Sequence, residues 1–230
     1  MRFIEHIIEP TKLLLAWQSA DASHRSRYIV GELNRRGDEI SLTYLPDTTD
    51  FRKAQDKGFE SYPAFQAINK IHHNVLDAFM RRLPPRTRGD FSQYMEGLRL
   101  KPDAQLSEFA LLGYSGAKLL SDGFSIIHPF NDVNSPCELF VEAAGFSYLQ
   151  KNHDDLKVNE AASFKKEFND VTQEEAIHII VNGQHIGYVN RGLLPTFSNW
   201  IDNNRVTDAW IEKINGTAGK PAVFLYVKIS

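Results

Sequence analysis

Short apolar runs recur along the C-terminal part of the sequence, and they restrict its fold more than any other feature. Asn182-Gly183 separates two of these runs, and both residues tolerate the positive φ angles of a type I′ turn, so a β-hairpin is predicted there. A helical face carrying Leu193, Phe197 and Trp200 interrupts the later runs. Six short strands and one helix predict a compact β-barrel. The predicted strands are residues 139–144, 156–158, 176–181, 186–189, 206–214 and 223–229.

A turn-rich stretch precedes this strand-rich part. Residues 128–136 read His-Pro-Phe-Asn-Asp-Val-Asn-Ser-Pro, which are mostly turn formers without helix or strand periodicity. A chain of 230 residues has room for two small domains, each with its own core. We therefore predict a first domain over residues 1–130, a linker over 131–136 and a second domain over 137–230. Cleavage in the linker is expected to separate two folded pieces.

The first domain is predicted to contain strands followed by helices. From Ile68, apolar residues recur at three- and four-residue spacing, which predicts an amphipathic helix that Pro84-Pro85 ends. Asp90 and Asp103 are predicted to cap a second and a third helix. Before them, a small meander is predicted from strands at residues 13–17, 28–33 and 40–44. The fold class expected for the whole chain is α+β.

The charge balance argues against a general nucleic-acid binder. The chain has 26 Lys and Arg against 29 Asp and Glu, a net charge of −3, and residues 131–230 hold 9 basic against 13 acidic residues. Non-specific nucleic-acid binders usually have a basic excess, because phosphate neutralisation supplies most of their affinity. Any nucleic-acid binding must therefore use a local patch.

The single cysteine and the absence of long apolar runs limit the remaining classes. Cys137 is alone, which excludes an intramolecular disulfide and a zinc site built on paired cysteines. No stretch approaches the roughly 18 apolar residues of a membrane span, and the first residues lack the apolar core of a signal peptide. We expect a cytoplasmic protein with no membrane contact, no metal and no cofactor.

Four segments of the C-terminal part resemble the HIRAN domain family. Gly183-Gln184-His185-Ile186-Gly187-Tyr188 follows the family's Gly-x-x-(Ile/Val)-Gly-(Tyr/His) hairpin, which leads into a helix. The other three segments correspond to the family's first glycine and aromatic pair, its acidic Asn-containing loop and its Asn-Ala-Ile-x-Val strand. They are residues 144–148, 167–170 and 175–177. Their order and spacing extend the resemblance from residue 137 to residue 230.

The resemblance implies an OB-like barrel that binds single-stranded DNA, in particular its free 3′ end. Carried over by position, Gly145 lets the strand approach the backbone, Tyr148 stacks on a base and Asn169 hydrogen-bonds near the terminal nucleotide. Tyr188 and Arg191 are expected on the same face. Aromatic stacking suits this role because it needs no sequence readout.

Departures from the family pattern change this expectation. Where the family has the Tyr-Asp pair that holds the terminal sugar, this chain has Thr172-Gln173, and Glu174-Glu175 add negative charge beside the implied phosphate path. We therefore predict only a small preference for a free 3′ hydroxyl. An alternative stays open, in which Tyr148 and Tyr188 are half-buried barrel aromatics and Asn169-Asp170 form an ordinary turn.

Four arginines lie close together at the end of the predicted first helix. They are Arg81, Arg82, Arg86 and Arg88. Guanidinium groups have a fixed fork that matches phosphate, which indicates a phosphate clamp. The alternative is a solvated helix end, where basic residues complement the helix dipole.

The N-terminal part has a weaker resemblance of its own. Residues 15–18, 27–33 and 58–63 resemble a region found ahead of HIRAN domains in bacterial proteins and, distantly, the first subdomain of HipA-type kinases. The kinase itself is not predicted, because no glycine-rich phosphate loop and no catalytic Asp and Asn motif follow.

Enzymatic motifs are incomplete along the chain. Residues 113–117 lack the final glycine of a nucleophile elbow. His72-His73 point in different directions on the predicted helix, and His178 and His185 have no carboxylate or cysteine at ligand spacing. No residue is predicted to be catalytic.

Two functions from different classes follow. The first is a non-enzymatic module that binds nucleic acid, single-stranded or end-containing DNA, in repair or in defence against foreign DNA. The second is a protein-interaction module whose HipA-like N-terminal part restrains a separate kinase-like partner, as an antitoxin does. Salt-dependent binding of labelled single strands separates the two.

Overall fold

The structure, a computed structural model, describes two compact units. The described residues are 1–21, 26–119, 122–131, 133–149, 155–169, 174–217 and 220–230. The N-terminal unit consists of Glu9–Ser92 and Asp103–Phe130. The C-terminal unit consists of Met1–Ile8, Gln93–Pro102 and Asn131–Ser230. The predicted division placed residues 1–130 in one domain, whereas two short segments of that range belong to the C-terminal unit.

A four-stranded antiparallel sheet forms the centre of the N-terminal unit. Its strand order is β3-β2-β1-β4, so β1 has a partner on both sides. The strands are β1 (Lys12–Gln18), β2 (Arg27–Arg36), β3 (Glu39–Tyr44) and β4 (Phe124–Ile127). The three strands of the predicted meander are confirmed, and β4 adds a fourth.

The long helix predicted from Ile68 is wrong. The helices in this part of the chain are α1 (Thr49–Gln55), α2 (Leu76–Met80), α3 (Phe91–Gly97) and α4 (Glu108–Ser115). Ahead of α2, His72 exchanges backbone hydrogen bonds of 2.8 and 2.9 Å with Leu42 of β3. Asn74 has a φ of +55°, which a right-handed helix does not accommodate. Pairing with the sheet edge therefore overrides the helical spacing of the apolar residues.

Side-chain caps fix where two of these helices begin. The hydroxyl of Ser107 accepts a hydrogen bond of 3.0 Å from the backbone N–H of Ala110, so α4 begins after Ser107 and not after Asp103 as predicted. Thr48 caps α1 in the same way, through a bond of 3.2 Å from the N–H of Phe51. Both caps satisfy a donor of the first turn. Helix α1 is absent from the sequence prediction.

Two three-stranded antiparallel sheets build the C-terminal unit. One has the order β5-β10-β9 and the other β6-β7-β8. The strands are β5 (Cys137–Glu142), β6 (Ala162–Asn169), β7 (Glu174–Val181), β8 (Gln184–Tyr188), β9 (Val206–Thr217) and β10 (Lys220–Ile229). Most of α3 also belongs to this unit, and the later helices are α5 (Phe146–Leu149) and α6 (Leu194–Asp202), with one turn of 3₁₀ helix before α6.

The prediction of a β-barrel is wrong. Within the described ranges none of the sheets closes on itself. Single bridges instead join the edges of the two C-terminal sheets, one between Ala144 and Tyr188 and one between Ala161 and Trp210. The strand predicted at residues 156–158 is irregular, and β6 takes its place as the sixth strand. The mixture of sheets and helices fits the α+β class.

The two faces of the β6-β7-β8 sheet differ in character. Ile177 and Ile179 of β7 are buried on the side that packs against α6, where Phe197 contacts Phe164 with ring centroids 5.2 Å apart. Because strand residues alternate, His178 of β7 lies on the opposite side. We call that opposite side, together with the adjoining residues 144–149, the outer face.

Two buried carboxylates connect the two short segments of the C-terminal unit, which come from before residue 103, to the sheets of the same unit. Glu212 of β9, whose side chain is 2% exposed, accepts hydrogen bonds of 2.8 Å from Arg2 and 2.9 Å from Arg99. Glu138 of β5 accepts the backbone N–H groups of Glu5 and His6, each at 3.0 Å. The unit is therefore assembled from distant parts of the chain.

Candidate nucleic-acid interface

A β-bulge in the β7–β8 hairpin decides which side chains reach the outer face. Asn182 and Gly183 have φ angles of +50° and +76°, as the predicted type I′ turn requires. The register then shifts between Ile179 and Ile180, so that Tyr188 stands opposite His178. Without this shift Tyr188 would stand opposite Ile177 and point to the buried side.

Three ring side chains meet on the outer face as a result. The imidazoles of His178 and His185 stack with centroids 3.9 Å apart and an interplanar angle of 5°. The ring of Tyr188 meets both edge-on, at 5.1 Å from His178 and 4.6 Å from His185. All three residues are partly exposed. This ring cluster offers flat ring surface next to solvent.

Gly145 and Tyr148 adjoin the ring cluster. Gly145 has a φ of +74°, and a Cβ atom there would lie 3.3 Å from Cδ2 of Tyr188, so any other residue would strain the backbone and crowd the ring. The carbonyl of Gly145 accepts the N–H of Tyr148 at 3.0 Å, which begins the short helix α5. Tyr148 is 78% exposed. The half-buried alternative is therefore wrong for Tyr148 and describes only Tyr188.

Charge on the outer face is sparse. Lys165 stands opposite His178 in the β6–β7 register, and its side chain is 69% exposed. It forms an ion pair with Glu167, and this contact lowers the pKa of the Glu167 carboxyl. Lys165 is therefore the group of this face best placed to meet a phosphate.

The predicted contact from Asn169 is only partly described. Asn169 ends β6 opposite Glu174 in the register. Asp170, Thr172 and Gln173 lie outside the described residues. The predicted loss of 3′-end preference stays a prediction.

Arg191 is directed toward a carboxylate. Its guanidinium donates a hydrogen bond of 3.0 Å to Glu174, and both side chains are about one-third exposed, at 33% and 34%. The depression beside them is also lined by Glu175 and Asp202. This acidic surrounding is unfavourable for a phosphate. Arg191 therefore lies next to the β6-β7-β8 sheet, but its positive charge is paired with a carboxylate.

The arginines of the N-terminal unit do not form one exposed clamp. Arg82 is 8% exposed and makes two hydrogen bonds of 2.8 Å to Asp122, with further bonds to the carbonyls of Ala117 and Phe124. Burial tends to lower the pKa of Arg82, but Asp122 and Tyr62 outweigh it and raise the pKa. The predicted role of Arg82 in a phosphate clamp is therefore wrong, because its N–H groups donate to other groups of the N-terminal unit.

The other three arginines are exposed. Arg86 pairs with Glu108 and Arg88 pairs with Asp90, so each has a carboxylate beside it. Arg81 ends α2 without an ion-pair partner among the described residues. Their role in binding stays a prediction, and the structure gives it a weaker basis than the sequence did.

Candidate metal ligands, long apolar helices and the single thiol are considered for the described part of the chain. It contains no group of three or more His, Cys, Asp and Glu side chains that could hold a metal. No helix in it is long and apolar enough to cross a membrane. Burial raises the pKa of the Cys137 thiol to about 11, so this thiol is not poised to react.

Exposed rings on one face of a small β-rich unit are typical of surfaces that bind single strands. A model of the HIRAN domain family matches residues 137–224, and HIRAN domains are generally associated with DNA binding. The match supports the resemblance predicted for the C-terminal part. It does not reach the N-terminal part, where the HipA-like similarity has no support. No curated protein and no solved structure matches this chain.

The pairing of His178 with His185 is a feature of the candidate site that sequence reasoning missed. A two-residue turn at Asn182-Gly183 places Ile180 opposite His185. Residues 178 and 180 share a strand face, so the two histidines had to be diagonal neighbours. The position of the turn therefore predicts that the two histidines are neighbours. A search for metal-ligand spacing along the sequence does not consider strand register.

Proposed function

We propose that the protein is a non-enzymatic module that binds single-stranded DNA across the outer face of its C-terminal unit. The observation that carries this proposal is the ring cluster with Tyr148 beside it. Bases exposed by a single strand can stack on such rings whatever their identity. A role in DNA repair or in defence against foreign DNA is the setting we propose for this activity.

Stacking, rather than phosphate neutralisation, is expected to supply most of the affinity. Lys165 is the exposed cation of the outer face among the described residues, and Glu167 partly neutralises it. Each phosphate contact with a single strand changes affinity by about threefold between 50 and 200 mM salt. A binder with one or two such contacts shows a shallow salt dependence.

Fluorescence anisotropy of the full chain with a labelled oligothymidylate and a labelled duplex tests the proposal. We expect the single strand to bind more tightly than the duplex, with an affinity that falls by less than about tenfold between 50 and 200 mM salt. Lys165→Gln should reduce the salt dependence. Lys157→Gln, at an exposed position of the same unit, is the matched control and should leave it unchanged.

Two results would contradict the proposal. One is the absence of single-strand binding at low salt, and the other is a clear preference for the duplex. The kinase-restraining alternative depends on the N-terminal HipA-like similarity, which has no support.

A further inference from the structure

The stacked pair of His178 and His185 has a chemical capacity that base stacking does not use. An imidazole takes up a proton near neutral pH and then donates from both ring nitrogens. Two imidazoles with centroids 3.9 Å apart cannot both become cations without strong repulsion. The stacked geometry therefore allows one added charge on the pair far better than two.

Hydrogen bonding shows which ring atoms remain open. Nε2 of His185 lies 3.0 Å from the carbonyl oxygen of Gly187. A carbonyl only accepts, so Nε2 carries the proton of the neutral ring. Within the described residues, the ring nitrogens of His178 have no hydrogen-bond partner, and His178 is partly exposed. His178 can therefore present an N–H group to a ligand on the outer face.

The groups around His178 set its charge. Burial comes first in lowering the pKa of His178, and His185 and Lys165 lower it further, while Glu167 acts in the opposite direction. Tyr188 contributes a ring edge from β8. Together these contacts favour the neutral form of the His178 ring in the free protein. A bound anion would add negative charge and favour the protonated ring.

We propose that His178 and His185, together with Lys165, form a binding site for a backbone phosphate of the single strand, and that the pair takes up one proton when the phosphate binds. This inference rests on the proposed function. The proton comes from solvent and is held on an imidazole nitrogen, and no covalent bond changes. The phosphodiester supplies the counter-charge that the stacked pair lacks.

Anisotropy of a labelled oligothymidylate at pH 8 and pH 6, at constant ionic strength, tests the coupling. Uptake of one proton allows at most a tenfold gain in affinity per pH unit. We expect wild-type affinity to rise at least fivefold from pH 8 to pH 6. His178→Gln and His185→Gln should reduce that rise to less than twofold, and each variant is compared with its own affinity at pH 8, because loss of a stacking ring also lowers affinity at that pH. His73→Gln, at an exposed histidine of the N-terminal unit, is the matched control and should keep the full rise.

A second titration separates this inference from the proposed function. Inorganic phosphate is added to the full chain at pH 6 while the histidine ring protons are followed by NMR, and we expect shifts for His178 and His185 but not for His73. If the strand binds with the same pH dependence in both histidine variants, the phosphate site is overturned and the proposed function stands. If phosphate shifts the pair but no strand binds, the proposed function is overturned, and with it the assignment of the bound phosphate to a single strand. If neither occurs, both are overturned.

Discussion

Arg81 and Arg82 are neighbours in the chain with opposite environments. Arg81 is exposed at the end of α2, whereas Arg82 is buried and satisfies Asp122, Tyr62 and two carbonyl groups. Sequence proximity suggested one cluster with one role. The structure shows that Arg82 stabilises the N-terminal unit, and only its neighbour is available at the surface.

Replacing Arg82 with Met should destabilise the protein by about 3 kcal/mol, because breaking a buried ion pair leaves its remaining partners unsatisfied. The side chain of Asp122 is 31% exposed, so solvent recovers part of the loss. Urea unfolding of the full chain measures the change. Arg81→Met is the control and should alter stability by less than about 0.5 kcal/mol. Equal midpoints for the two variants would show that the buried network contributes nothing.

The exposure of some site residues could be predicted from the sequence alone. The orientation or burial of others depends on the residues with which they pair in the fold. Gly145 and Tyr148 follow a family pattern, and the structure gives them the close backbone approach and the exposure that the pattern implies. The outward position of Tyr188 depends on a bulge that no local residue preference announces. The burial of Arg82 depends on Asp122, forty residues away in sequence, so long-range pairing decided it.

At the level of elements, strand pairing explains both the successes and the errors of prediction. The β7–β8 hairpin was predictable because Asn-Gly fixes its turn locally. Strand β6 was missed because Ser163, Lys165 and Glu167 on its outer face give it a polar sequence. The false helix before α2 arose because apolar spacing cannot anticipate that His72 pairs with the edge of β3.

Glu212 on β9 makes the C-terminal unit sensitive to acid. Burial alone would raise the pKa of Glu212, but hydrogen bonds and charge from Arg2 and Arg99 outweigh it and lower the pKa below its ordinary value of 4.5. Glu138 behaves in the same way through Glu5 and His6. A lowered carboxyl pKa gives stability that is present above the unfolded value and is lost as the pH falls through the folded value.

Stability of the full chain, measured as the urea midpoint, should therefore be constant from pH 7 to pH 5 and fall below about pH 4.5. Glu212→Gln should lower the midpoint at pH 7, since two arginines lose their carboxylate, and should make the fall in acid shallower. Glu160→Gln is the control, at a partly exposed position of the same unit. An unchanged acid profile in Glu212→Gln would contradict this account of the buried pair.

At the level of the whole molecule, the family match and the compact unit do not coincide. The HIRAN match covers residues 137–224, but the unit also contains Met1–Ile8 and Gln93–Pro102. Sequence patterns located the strand-rich region and the outer face within it. They could not locate the distant segments, because a buried Glu212 bonded to Arg2 and Arg99 has no local signature. The N-terminal unit ends at Phe130, where the first domain was predicted to end, but the two distant segments lie outside the predicted second domain.

The central claim is that the outer face binds a single strand by stacking, and Tyr148→Ala tests it most directly. Affinity for a labelled oligothymidylate should fall by about 1–3 kcal/mol, the contribution of one aromatic stack, while the urea midpoint stays unchanged because the ring is 78% exposed. Tyr148→Phe should bind like the wild type. Phe168→Ala should also bind normally, since Phe168 is an exposed ring on the opposite face of β6. A Tyr148→Ala protein that binds the strand with wild-type affinity would contradict the account.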